Sequence, residues 1–410
     1  MNLEENLKKY AELLVRSGLN VQKDQIVVVQ APIEAYQLVR EIVEKSYEIG
    51  ASDVIVRYKD EVVDHIEYMH KTVEELSTYA DFNALMYNST AKAGACYLML
   101  IGDDPDLMSD VDSKKISAFS KAKNEATPDY RNGRQFMKNS WCIAAVSSQK
   151  WAEKVYPNDS DSYMKLWDAI FKVARVYGNS IENWENHKQS FFKKMEIMNS
   201  MKISSLHYSN SLGTDFTVKM NKGYQFVGGG SYLENGNYYF PNMPTEELFS
   251  CPNRLSANGK LVASKPLCYN GSMIEDFWFT FKDGKVVDFD ARIGKDVLQS
   301  IMDIDENASY LGEVALVPYD SPISNLNTIF YETLLDENAA CHFALGTSFA
   351  ECIEGGLEMS EEELLKNGMN QSLTHVDFMI GTKDLSVVAT CEDGKKVPIF
   401  VNGNFSSIFD

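Results

Sequence analysis

Two rhythms of apolar residues alternate through the first half of the chain. Over residues 3–17 they recur every three to four positions (Leu7, Tyr10, Ala11, Leu14, Val15), which is helical spacing. Gln25-Ile-Val-Val-Val-Gln30 is instead a short continuous apolar run, as expected of a strand buried on both faces. Residues 34–49 return to helical spacing and end at Gly50, a residue suited to a helix C-terminus. Asp53-Val-Ile-Val-Arg-Tyr58 reads as a second strand. Strand, helix and strand at this spacing predict a parallel pair joined by a crossover. Residues 94–102 and 140–146 read as further buried strands. An α/β N-terminal domain with a mostly parallel sheet follows.

Residues 163–177 and 181–198 keep helical spacing, and the pattern then changes. We place a domain boundary near residue 200, giving domains 1–200 and 201–410. Over residues 203–290 short alternating runs are separated by Ser211-Leu-Gly213, Gly228-Gly-Gly230, Asn235-Gly236, Asn258-Gly259, Asn270-Gly271 and Asp283-Gly284. Such pairs are hairpin signals. Helical patches at 296–307 and 326–337 interrupt them. The C-terminal domain therefore reads as α+β and antiparallel-rich.

Charge narrows the class. A formal charge of −20 argues against nucleic acid or an anionic membrane as a partner, and it suits a cytoplasmic protein that collects divalent cations. The start of the chain leads into a charged amphipathic helix with no signal-peptide pattern, and no apolar run nears 18 residues. Seven scattered cysteines include no CxxC pair, so reduced thiols are expected. A nucleotide- or sugar-binding α/β module is the reading from another class. It lacks both the GxGxxG fingerprint and a GxxxxGK[ST] loop. Asp103-Asp-Pro-Asp106 reads as a solvated loop, and Gly228-Gly-Gly-Ser231 as a flexible turn.

Candidate chemistry gathers in the second domain. Thr374-His-Val-Asp-Phe-Met-Ile-Gly381 reads as a strand, so His375, Asp377 and Met379 share one face and Val376, Phe378 and Ile380 the other. Such a pair fits half of a metal site, but an ordinary His–Asp hydrogen bond is the commoner use of it. In Asn242-Met-Pro-Thr-Glu-Glu-Leu-Phe249, Pro244 and Thr245 mark a turn or helix start before Glu246 and Glu247. Glu313 interrupts the apolar run Tyr310-Leu-Gly-Glu-Val-Ala-Leu-Val317, where a carboxylate must be paired, hydrogen-bonded or metal-bound. His342 stands among small and apolar residues. His65, His70 and His187 lie in charged or polar helices and read as solvated; His207 is left open. Three carboxylates and two imidazoles are a sensible donor set for two cations sharing an acidified water.

In chain order, Pro244-Thr-Glu-Glu-Leu-Phe249, Leu311-Gly-Glu-Val-Ala-Leu-Val317, Glu337-Asn-Ala-Ala-Cys-His342 and His375-Val-Asp-Phe-Met-Ile-Gly381 together resemble the aminopeptidase T / aminopeptidase S (PepS-like) family of bacterial dimetal exopeptidases. Tyr10-Ala-Glu-Leu-Leu-Val-Arg-Ser-Gly18, the region 25–58 and Ser321-Pro-Ile323 extend the resemblance almost end to end. It implies metal ligands at Glu247, Glu313, His342, His375 and Asp377. It also implies two divalent cations (Zn²⁺, Co²⁺ or Mn²⁺) and release of N-terminal amino acids from peptides through a metal-activated water. A cytoplasmic homodimer with sites facing an internal cavity is implied as well. One position departs from the family pattern. Seven residues after the ligand histidine the family usually has tyrosine, and here Thr347-Ser-Phe-Ala-Glu351 carries Phe349. Phenylalanine keeps the volume and loses the hydroxyl. The alternative reading is therefore a catalytically weakened metal- or peptide-binding relative. Glu246 and Glu351 are the candidates for shuttling protons.

Overall fold

The computed structural model describes residues 2–269 and 272–410, so the turn signal Asn270-Gly271 lies outside the described residues. The chain forms two compact units: Met1–Asn186 with Gly230–Pro244, and His187–Gly229 with Thr245–Asp410. The first unit ends within the helix Ser180–Ser200, ahead of the residue-200 position read from the pattern. Helical spacing runs on through this point without a break, so the sequence carries no local mark there.

The first unit is built on a parallel sheet. Its strands are β1 (Ile26–Pro32), β2 (Asp53–Lys59), β3 (Cys96–Ile101) and β4 (Trp141–Ala145). Their spatial order is β4-β3-β1-β2, and every pairing is parallel. A short strand, Asn242–Met243, adds beside β4, also in parallel. This pairing explains why residues 230–244 join the first unit. Phe240 packs edge-on against Trp184 with ring centroids 4.6 Å apart, and Asn20 Nδ2 donates to the Tyr238 carbonyl at 2.8 Å. The helix between β1 and β2 runs Tyr36–Ile49 and closes on Gly50 at φ +102°, a conformation glycine adopts without a Cβ penalty.

The second unit has two antiparallel sheets. One contains Ile203–Ser209, Asp215–Lys219, Ser272–Lys282 and Lys285–Ile293 among its strands. Ser211-Leu-Gly213 joins the first pair. Asp283-Gly284 joins the second pair, with φ of +50° and +91° at the two turn residues. Asn258-Gly259 is different: it opens the strand Asn258–Val262 and makes no turn. A Cβ on Gly259 would lie 2.2 Å from the Asp215 carbonyl oxygen, so that glycine serves close strand approach.

The other sheet carries the candidate site. Its strands are β5 (Leu248–Ser250), β6 (Leu311–Leu316), β7 (His342–Gly346) and β8 (His375–Met379), ordered β8-β7-β6-β5, with Val227–Gly228 beyond β5. One face is apolar. Val314, Leu316, Phe343, Leu345, Val376 and Phe378 are buried in a core shared with the larger sheet. Phe343 meets Tyr208 and Phe216 with ring centroids 4.9 and 5.2 Å away. Each fully buried side chain of this size contributes about 1.5–3 kcal/mol, so this face clamps β7 and β8 in place.

Candidate metal centre

The opposite face of this sheet follows from its register. Glu313 stands opposite Ala344, which stands opposite Asp377; His342 stands opposite Ala315 and Met379, and His375 opposite Gly346. Phe249 stands opposite Ala315, so Glu247, two residues earlier, leads onto the same face. The positions between the charged residues are alanine and glycine. Small side chains there leave room above the sheet for the imidazoles and carboxylates to converge.

A bulge sets Glu313. The register of β6 against β7 slips between Leu311 and Glu313, so Gly312 is an extra residue. A Cβ on Gly312 would lie 2.2 Å from the Thr347 carbonyl oxygen and 2.4 Å from that of Gly346. This close approach admits glycine alone. Ser348 Oγ donates to the Gly312 carbonyl at 3.0 Å and fixes the bulge from the other side.

The side chains form two groups that share one member: Glu247, Glu313 and His342, and then Glu313, His375 and Asp377. His342 Nε2 lies 3.1 Å from Glu247 Oε2 and 3.7 Å from Glu313 Oε1. His375 Nε2 lies 3.3 Å from Glu313 Oε2 and 3.2 Å from Asp377 Oδ1. One Glu313 oxygen thus faces each histidine. With metal–ligand bonds of about 2.0–2.1 Å, donors around a tetrahedral cation stand about 3.3–3.4 Å apart, which matches this spacing.

Hydrogen bonding tests whether cations fit. His342 Nδ1 is 3.0 Å from the Ala340 carbonyl oxygen, and His375 Nδ1 is 2.9 Å from that of Thr347. A carbonyl only accepts, so Nδ1 of each ring carries a proton, and Nε2 is the nitrogen that faces the cluster, able to bind a cation once its own proton is released. His342 Nε2 and Asp377 Oδ1 are buried with no hydrogen-bond partner among the described residues. Buried polar atoms left in this way are costly, and a cation between them removes the cost. The donor set, neutral imidazole with carboxylate, suits Zn²⁺, Co²⁺ or Mn²⁺.

Electrostatics agree. Burial opposes charge on His342, yet Glu247 and Glu313 raise its pKa well above the ordinary imidazole value. His375 is raised in the same way, against burial, by Asp377 and Glu313. Burial likewise works against the charge of Asp377, while His375 and His342 hold its carboxyl below the usual range. Burial pushes Glu247 up, with His342 opposing. Excess negative charge around two imidazoles is the condition a divalent cation relieves.

Two further carboxylates adjoin the cluster. Glu337 is the last residue of the helical patch 326–337 that the sequence predicts. It lies in a short turn after the helix Thr333–Asp336, and burial with the charges of Asp377 and Glu247 pushes its pKa well above the usual range. Its only sequence signal is its place five residues before His342. Glu351 is pushed to about 7 by burial and by the charge of Glu313. Glu246 turns elsewhere. Residues after Pro244 form no helix but an extended entry to β5, so successive side chains point apart. Glu246 Oε2 lies 3.8 Å from His187 Nε2. That histidine is not solvated as expected: its Nε2 meets the Thr245 carbonyl oxygen at 2.8 Å and its ring packs on Phe191. The remaining histidines lie outside the cluster. His65 pairs with Asp110 at 2.7 Å and His207 with Asp215 at 2.9 Å. Phe349 stands beside the cluster, its ring centroid 4.8 Å from that of His375 and 5.7 Å from Phe249. The ring is 39 % exposed, leaving open space at its edge.

A sheet presenting two cation-sized donor groups that share a carboxylate defines a metallohydrolase class of site. Comparison with known proteins gives the family. The model for the thermophilic metalloproteases, peptidase family M29, matches residues 3–405, and the chain belongs to that family. It is 43% identical over 408 residues to aminopeptidase AmpS of Bacillus subtilis, covering 99% of each chain. It is 41% identical to aminopeptidase 2 of Geobacillus stearothermophilus, covering 98% of each. The solved structure of wild-type AmpT from Thermus thermophilus superposes with a TM-score of 0.91 at 34% identity, over 98% of this chain and 99% of that one.

Proposed function

We propose that this protein is a metal-dependent aminopeptidase that releases N-terminal amino acids from peptides. The observation that carries the reading is the pair of donor groups sharing Glu313. Full-length similarity to proteins named as aminopeptidases supports it. The weakened relative suggested by Phe349 gains no support from these matches.

In this reading Glu247, Glu313 and His342 hold one cation, and Glu313, His375 and Asp377 hold the other. Zn²⁺, Co²⁺ and Mn²⁺ are the ions the donor set suits. When bound, the pair supplies Lewis acidity and lowers the pKa of a coordinated water. The chain's own residues do the rest. The Ala340 and Thr347 carbonyls fix the tautomer and orientation of the two imidazoles. Glu313 spans both groups and so fixes their separation. Glu351, poised near neutrality, is the group suited to take and return a proton. We further propose a cytoplasmic homodimer. Among the described residues, no helix is long and apolar enough to cross a membrane.

The test is hydrolysis of aminoacyl-anilides and short peptides by the metal-stripped protein, with and without added Co²⁺, Mn²⁺ or Zn²⁺. Release that depends on the cation is expected. No release under any of these conditions would overturn the reading.

A further inference from the structure

Beside the donor cluster, and within the same unit, the surface folds into a narrow cavity of about 20 Å³, room for a water-sized group. Asp377 and Glu337 line it, with apolar surface from Leu267, Met273, Ile329 and Met379 and polar surface from Tyr331, Glu332, Thr333 and Asp336. Asp377 and Met379 are two residues apart on β8 and share a face, so the cavity adjoins the cluster.

The walls are held in place independently of the cluster. Ser264 N donates to the Met379 carbonyl at 2.8 Å, which seats the strand Leu267–Tyr269 beside β8. Cys268 stands opposite Met273 in the hairpin formed with Ser272–Lys282. On the other side the Asp336 carboxylate accepts from Phe330 N at 2.9 Å and from Glu332 N at 3.3 Å. This closes the loop that presents Ile329. Asp336 is therefore a structural carboxylate of the wall.

An aminopeptidase must place the α-carbon of the first residue one bond from the carbonyl it cleaves. The side chain on that carbon has to enter a space that starts at a metal ligand. Resting on the aminopeptidase reading above, we propose that this cavity receives the side chain of the substrate's N-terminal residue. Its small volume, room for a water-sized group, selects the methyl of alanine over longer and aromatic side chains. Met273 and Ile329 set its depth: both are partly exposed, and neither belongs to the cluster. Discrimination of this kind, by a few methylenes in an apolar pocket, reaches about 10–200-fold.

The test compares kcat/KM for alanine, leucine and phenylalanine anilides in the metal-loaded wild type, Met273→Ala and Ile329→Ala. Wild type should favour the alanine substrate over leucine and phenylalanine. Each substitution should raise the phenylalanine-to-alanine ratio about ten-fold or more. The same proteins are titrated calorimetrically with the hydroxamates of alanine and phenylalanine, which read the pocket without turnover. An unchanged ratio in both variants, by kinetics and by binding, overturns the pocket assignment. Absence of hydrolysis with a shifted binding ratio upholds the pocket and overturns the peptidase reading instead.

Discussion

Replacing Glu313 by glutamine keeps the shape of the side chain and removes the one charge common to both donor groups. Its two oxygens face His342 and His375 at 3.7 and 3.3 Å. At about 4 Å and an effective dielectric constant of about 20, a unit charge pair is worth about 4 kcal/mol, and a divalent cation doubles that to about 8 kcal/mol. Most of this is offset, because carboxylate and cation are both hydrated when apart. If about a third survives, each cation loses about 2.7 kcal/mol, a hundred-fold in affinity. The structure adds a sharper demand. Glu313→Gln should weaken both cations, whereas Glu247→Gln and Asp377→Asn should each weaken one. The assay is calorimetric titration of the metal-free protein with Zn²⁺ or Mn²⁺, with metal content after dialysis measured by mass spectrometry. Two equivalents bound to Glu313→Gln at wild-type affinity would refute the shared-carboxylate reasoning.

Other consequences can be checked with similar means. Because nearby carboxylates raise the pKa of His342 and His375, the metal-free cluster holds protons that a cation must displace. Metal affinity should fall as pH falls, and titrations in buffers of different ionisation enthalpy should show proton release. For the metal-free chain the sign is fixed by the raised histidine values. Their stabilisation is full below the unfolded imidazole pKa of about 6.5 and is lost as pH rises through the folded values, so melting temperature should drop on the alkaline side. Phe349→Tyr adds a hydroxyl to a ring packed on His375, and kcat should rise by about ten-fold or more if that edge faces the developing oxyanion; unchanged kcat would place the position outside it. Glu351→Gln should lower kcat by about a hundred-fold and remove a pH limb near neutrality. A full-rate variant would rule out its role as proton carrier.

What could be read in advance divides along a physical line. Alternation on β8 was legible because strand geometry is local: His375 and Asp377 had to share a face once the strand existed. Glu313 was conspicuous because a carboxylate in an apolar run demands a partner. The parallel sheet was legible from continuous apolar strands separated by helices. Pairing over distance was not. Nothing within residues 230–244 shows that Asn242–Met243 will add beside β4. Nothing near Pro244 distinguishes a helix start from the extended entry to β5, and that difference sends Glu246 and Glu247 to opposite sides. Glu337 closes the helical patch 326–337 in the sequence, and its proximity to Asp377 exists only after β7 and β8 are paired. His187 sat in a polar helix, and its partners come from Thr245 and Glu246, 58 or more residues away.

The bulge at Gly312 has a bearing on evolution and engineering. The two oxygens of one side chain act as the ruler between the two donor groups, and the backbone kink at Gly312 sets the ruler's position. A residue that carries no chemistry thereby controls the spacing on which the chemistry depends. Variation at the five donors would be read at once as loss of a ligand. Variation at Gly312 would leave all five donors in the sequence and displace Glu313 from between the two groups. In a library of variants, positions of this kind are where a protein with a complete donor set could still bind cations one at a time and fail to use them together.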